Sequence, residues 1–316
     1  MLNITQITTN KTKALLENVS PNVCWNRFDL RYGDDWDLSK IDNEYYVASH
    51  CEGGVITVSL YLRELKPDVF NNIVKYLFDF YLDAKTLFVL HTYTPIQAIE
   101  PAVHWHVDLP KTIEEFDSTL SHRVRYNTKW YPKKIRENIG EYTIKYVDAA
   151  ECPDEIVNLY FKWKSKTHGS EYGLTPREYL KKFCVTGVYI MQTETEVLAM
   201  GFICETGDNV FFENFSYNQE YAKYSPGMVL YHYLISDIIA RGKKKLFLLG
   251  GNLEYKRHFN GIATTTHTGT LYREQFIYKK WIYWLAKYTP RFLRPIVRVL
   301  LPHTAQKRSF SVLIRK

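Results

Sequence analysis

Between Asn209 and Leu249 the chain passes from an aromatic, β-branched run (NVFFENFSY) through Ser225-Pro226-Gly227 into an apolar stretch, Pro226 to Ala240. It leaves through a short apolar run, Leu246 to Leu249. The order predicts a strand, loop, helix, strand unit. Ser225 is placed to cap the helix, Pro226 suits its first turn, and Gly227 lets the backbone approach a ligand closely. The first N–H groups of such a helix have no internal partner and carry the positive end of its dipole, so a pyrophosphate suits them. Ordinary capped helices begin the same way, and the turn alone does not select a ligand.

The same element order occurs earlier. Extended segments at Tyr45 to His50 and Val55 to Leu65 precede a helix from Pro67 to about Asp83 and a strand from Thr86 to His91. The second half gives Val197 to Glu205, Asn209 to Tyr217, the Pro226 helix and Leu246 to Leu249. A chain of 316 residues exceeds the usual single domain, and two similar α+β units in tandem fit that length. The two strand-to-helix turns differ. Arg63 to Asp68 has two acids and no glycine, whereas Tyr224 to Gly227 has no acid, so only the second suits a phosphate. Beyond it, Gly261 to Arg273 reads as a strand and Glu274 to Tyr288 as a helix. The tail from Thr289 mixes Phe292, Leu293, Ile296 and Val297 with Arg291, Arg294 and Arg298, which suits docking on its own protein or contact with anionic headgroups.

Hydrophobic content of 46% and charge of 24% fit a folded protein with a substantial core. No apolar run is long enough to span a bilayer and the first residues lack the apolar region of a signal peptide, so the expectation is a cytoplasmic protein. Cys24, Cys51, Cys152, Cys184 and Cys204 are scattered, with no C-x-x-C pair, as for buried thiols in a reducing compartment. The net charge of +7 gathers in Arg123, Arg125, Lys129, Lys133, Lys134 and Arg136, on a helix read as starting at Thr112 with Glu114 and Glu115 in its first turn. A solvated face, an anionic substrate, lipid phosphate and RNA all accommodate such a cluster. No G-x-S-x-G, Walker A, H-E-x-x-H or Rossmann fingerprint is present.

SPGMVLYHYLISDIIARG followed by LFLLGGNLEYKRHFNG resembles the second acyltransferase motif of the GNAT superfamily. Within that superfamily it most resembles the bacterial cellulose-biosynthesis acetyltransferase-like branch. Tyr255-Lys256-Arg257-His258-Phe259 is similar to a late element of the FemABX peptidyltransferases, with Asn260 departing from their glycine. DLPKTIEEFDSTLSHRVRYNTKWYPKKIREN, from Asp108 to Asn138, is a further match to the branch. The resemblance implies an α+β fold of tandem GNAT-like domains, each a mixed, mostly antiparallel sheet flanked by helices. The expected parts are a degenerate domain at 1–110, a basic connecting helix at 111–140, a donor-binding GNAT domain at 141–288 and a basic amphipathic tail at 289–316.

The implied activity is N- or O-acyl transfer from acetyl-CoA or another acyl-CoA, without a covalent enzyme intermediate, to an amino sugar or lipid-linked glycan precursor of a surface polysaccharide. Peripheral contact of the tail with the inner face of the membrane goes with it. Two alternatives stand beside this one: a FemABX-like transferase using aminoacyl-tRNA, and a non-catalytic GNAT-like scaffold subunit. Acyl transfer without an intermediate needs a phosphate cradle, a backbone donor for the acyl oxygen and a proton acceptor. Tyr224, Ser225, Pro226, Gly227 and Met228 are the candidate cofactor-binding residues. Glu213, on the strand that can supply the backbone donor, is the candidate base; strict alternation would point it with Phe211 and Phe215. Lys256, at a position where the resembled families keep a lysine near the reacting centre or phosphates, is the second catalytic candidate. Arg125, His168, Glu171 and Tyr255 are expected on the acceptor side. His104 and His106 share a strand face, as a metal pair would, but lack a Cys or spaced acidic partner, and no metal is expected.

Overall fold

The computed structural model describes residues 4–7, 37–41, 45–59, 65–92, 100–168, 173–251 and 254–273. The expected helix and tail beyond residue 273, the turn residues Arg63 and Glu64, and Glu171 lie outside these. Two units divide the chain: residues 34–102 and 265–316 form most of the first, and 103–264 most of the second. The basic stretch expected as a connector at 111–140 falls inside the second unit.

The first unit holds β1 (Ile4–Ile7), β2 (Asp37–Ile41), β3 (Tyr45–Glu52), β4 (Val55–Ser59), α1 (Pro67–Phe80), β5 (Thr86–Thr92) and the end of β12 (Ile262–Tyr272). Its strands lie in the order β1-β2-β3-β4-β5-β12, antiparallel except for the β4/β5 pair. Phe70, Ile73 and Leu77 of α1 recur at helical spacing and bury one face of the helix in a core with Val47, Ile56, Val58, Leu87 and Val89.

The second unit holds β6 (Glu100–Asp108), α2 (Ile113–Thr119), α3 (His122–Asn138), β7 (Thr143–Asp148), α4 (Asp154–His168) and α5 (Pro176–Lys182). There follow β8 (Gly187–Gln192), β9 (Val197–Thr206), β10 (Asn209–Tyr217), α6 (Pro226–Ala240), β11 (Lys245–Gly250) and α7 (Glu254–His258). Here the order is β6-β11-β10-β9-β8-β7, again antiparallel apart from β10/β11. The single basic helix read from the sequence is in fact two. Thr112 caps α2 through Glu115 N–H at 3.2 Å, Leu120 is extended, and Ser121 caps α3 through Val124 N–H at 3.3 Å.

Helices cover both faces of this second sheet. Phe116, Leu120, Val124 and Ile135 of the α2–α3 segment and the apolar length of α6 pack with Val107, Val210, Phe212, Leu246 and Leu248. Val157, Tyr160, Trp163 and Tyr179 of α4 and α5 pack with Val188, Ile190, Met200 and Phe202. The far end of α6 is tied to β8 and β9 by one polar knot: Tyr189 donates to Asp237 at 2.5 Å, and Arg241 bonds Asp237 at 2.9 Å and Glu205 at 2.5 Å. The β3-β4-α1-β5 and β9-β10-α6-β11 segments share both element order and strand senses, as the sequence repeat suggests.

Candidate acyl-donor site

The two parallel pairs differ in how far they run. Residues Val55 to Val58 of β4 pair with Thr86 to Val89, nearly the whole of that strand. In the second unit only Asn209 to Phe211 pair with Lys245 to Phe247, although β10 continues to Tyr217 and β11 to Gly250. β10 meanwhile stays with β9 through Tyr217, and β11 stays with β6 through Gly250. Each slips register just past the last shared rung, β10 between Phe212 and Asn214 and β11 between Phe247 and Leu249. A bulge bends its strand and sharpens the twist. Two neighbours that bend at one level part, and main chain of β10 beyond Phe211 loses β11 as a ladder partner.

Glu213 is the extra residue of the β10 bulge and is half-buried. The expected alternation therefore fails. Phe211 stacks on Phe247 at 4.6 Å and packs with Cys184, Cys204 and Leu249, whereas Phe215 packs against the α6 side with Phe212 and Tyr217.

The α6 turn sits over this part of β10. A short 3-10 helix, Gln219–Tyr224, leads into Ser225, which is left-handed with φ 47°. Ser225 does not cap α6 with its side chain, contrary to the sequence reading; its carbonyl instead accepts from Met228 N–H at 2.9 Å and Val229 N–H at 3.3 Å. A capping residue is normally extended, and left-handed Ser225 lacks that backbone geometry. Gly227 is buried on Phe215 and Tyr217, and a Cβ there would lie closer than 3.0 Å to the Phe215 ring. Glycine is thus required for close packing of the helix start on the strand. Tyr224 and Met228 flank the turn half-buried, with the Lys223 ammonium 4.8 Å from the Tyr224 ring centroid.

At the end of β11 the chain turns through Leu249 (φ 59°) and Gly251 (φ 94°) into α7. Lys256 closes this corner. It is 1% exposed, and its ammonium donates to the carbonyls of Gly250 at 2.6 Å and of Leu249 and Gly251 at 3.2 Å each. Burial brings its pKa down from 10.5 to about 8. Three carbonyls take the three N–H directions of an ammonium, so the geometry makes Lys256 a clamp on the corner, with no proton left over for a phosphate. Tyr255 and Phe259, one turn apart, both meet Tyr231 of α6 edge-on, at 5.4 and 4.8 Å. Burial pushes the Tyr255 phenol up to about 12.

Contacts through Phe212, Phe215 and Tyr231 thus join the Glu213 bulge, the Tyr224–Met228 turn and Tyr255 in one neighbourhood. Arg125 is exposed on α3, and His168 ends α4. His104 and His106 lie on β6, where His106 bonds Thr264 at 3.4 Å and burial lowers its pKa. Among the described residues no group of three or more His, Cys, Asp or Glu is arranged to hold a metal. Sequence reasoning missed Tyr231, whose only signal is a polar ring one turn after Gly227 on an otherwise apolar helix face.

The family description "Acetyltransferase (GNAT) domain" matches residues 122–257. No curated protein matches the sequence. FemX has a similar fold, with a TM-score of 0.60 at 7% identity over 88% of this chain and 99% of its own. L-PGS from Bacillus licheniformis follows at 0.54 and 13% identity, covering 85% of this chain and 93% of that one. A tandem GNAT protein from the clavulanic acid biosynthesis pathway matches at 0.50 and 9% identity, over 86% of this chain and 98% of its own. Residues 122–257, which hold the parted strands, the α6 turn and most of α7, form a GNAT domain.

Proposed function

We propose that the protein transfers an acyl group from acyl-CoA directly to an amine or hydroxyl of an amino sugar or glycan precursor. The observation that carries the donor side is the parting of β10 from β11 after Phe211/Phe247, beneath a helix start that tolerates no side chain at position 227. A slot between two strands admits an extended arm, and its freed main-chain groups can bond it. The Tyr224–Met228 turn lies where the arm's phosphates would meet the α6 N-terminus. Glu213, in the bulge beside the slot, takes the proton from the acceptor as its lone pair attacks the acyl carbon and the C–S bond breaks. The glycan assignment rests on the resemblance to the cellulose-biosynthesis acetyltransferase-like branch.

Acetyl-CoA at about a hundred times its Kd is expected to stabilise the full chain by about 2.7 kcal/mol, read as a rise in Tm. Glu213→Gln should keep that rise and lose roughly a hundredfold in turnover of acetyl-CoA with an amino-sugar acceptor, read by thiol release. Absence of the Tm rise would remove the acyl-CoA reading.

One observation favours a second donor. Arg123, Arg125 and Lys129 are exposed on α3 with no acidic partner among the described residues, whereas Lys133 and Lys134 pair with Glu137 and Arg136 with Glu141. A FemABX-like transferase would use such a face for tRNA. In that case tRNA affinity should fall on a log–log plot against salt with a slope of about −2 to −3, for roughly three phosphates. Arg125→Ala together with Lys129→Ala should flatten it. A flat salt response in the unaltered chain removes this reading.

A further inference from the structure

Tyr231 presents a hydroxyl that the fold itself does not use. It lies on α6 one turn after Gly227, is 3% exposed, and its ring is held by Phe212 at 5.3 Å, Tyr255 at 5.4 Å and Phe259 at 4.8 Å. The hydroxyl oxygen is buried and has no hydrogen-bond partner among the described residues. An unmet phenol O–H in an apolar setting is destabilising, and phenylalanine would fill the same space without that penalty. A buried polar group left unmet in a folded domain calls for a partner that comes from outside it.

The surroundings say which partner. Phe212 is the first residue of β10 past its last rung with β11, and Tyr255 and Phe259 flank the Lys256 corner that ends β11. The ring therefore touches residues at both elements that bound the parting. Burial and the neighbouring Tyr255 keep the phenol's pKa well above its ordinary value, so it stays protonated and acts as a donor across the physiological range. What the slot must present to it is an acceptor atom. Of the parts of an acyl donor, the acyl carbonyl oxygen is a strong acceptor and gains charge when attacked, whereas a thiol sulfur is a weak one.

We propose that the Tyr231 hydroxyl donates a hydrogen bond to the acyl oxygen of the bound donor, making it a residue that distinguishes acylated carrier from free carrier. This rests on the acyl-CoA reading above. Tyr231→Phe in the full chain, titrated calorimetrically with acetyl-CoA and separately with CoA, tests it. Affinity for acetyl-CoA should fall about tenfold while that for CoA changes less than about twofold. The ligand-free variant should melt no lower than the wild type, because the unmet hydroxyl is gone. Equal weakening for both ligands, or none for either, overturns the assignment and leaves Tyr231 as a packing residue. A wild-type chain that binds neither ligand removes the acyl-CoA reading and this assignment with it, a result distinct from a wild type and a variant that bind both alike.

Discussion

Lys256→Met is expected to lower the unfolding free energy by about 2–4 kcal/mol, read from the urea midpoint. Methionine keeps most of the side chain's volume, so the loss isolates the ammonium. Without it the carbonyls of Leu249, Gly250 and Gly251 lose a shared charged donor in a corner where Lys256 is 1% exposed, and an unmet buried acceptor costs about 1–3 kcal/mol. The corner also runs through left-handed Leu249, a conformation kept only where surrounding bonds hold it. The pH dependence has a definite sign. With a folded pKa of about 8 against an ordinary 10.5, the folded chain releases this proton first, and between those values the unfolded chain binds more protons. Stability from this group therefore rises with pH across that window, and below about pH 8 its full burial cost is present. The gap between wild type and Lys256→Met should widen from pH 8 to 10. A variant as stable as wild type would show that the corner does not depend on this side chain, and a gap that narrows would show that the folded pKa lies above the ordinary value, contrary to its lowering by burial.

The second large effect falls on donor binding. Gly227→Val is expected to abolish stabilisation by acetyl-CoA, corresponding to a loss of more than roughly a hundredfold in affinity, with a loss of about 1–3 kcal/mol in the ligand-free chain. A Cβ at 227 would lie closer than 3.0 Å to the Phe215 ring and 3.3 Å from Tyr217 Cδ1, so either ring must swing or the helix start must lift. Both movements deform the wall of the slot where the strands part. Retention of the acetyl-CoA shift in Gly227→Val would separate the turn from the donor site.

How much of this could be read beforehand depended on whether the signal was local. The β10 and α6 elements follow from an aromatic run and an apolar helix opened by proline, and the structure keeps their bounds at Asn209–Tyr217 and Pro226–Ala240. The bulge at Glu213 was not legible, because NVFFENFSY carries aromatics on both sides of the slip and still looks like a regular strand. The break between α2 and α3 was hidden because the acidic turn after Thr112 and the basic run from Arg123 look like the two ends of one helix, with no Gly or Pro between them. The motif located Lys256 but not its direction, since main-chain carbonyls leave no mark in a sequence. Ser225 was misread for the same kind of reason: residue type suits a cap, but left-handed backbone geometry decides whether the side chain can serve as one.

The short run of shared rungs between β10 and β11 has a thermodynamic consequence. Three consecutive residue pairs carry the ladder between these strands, and past them the sheet is continuous only through β9 on one side and β6 on the other. A ligand that bonds both walls of the slot would act as a missing strand, and its occupancy would set how cooperatively the two sides of this sheet unfold.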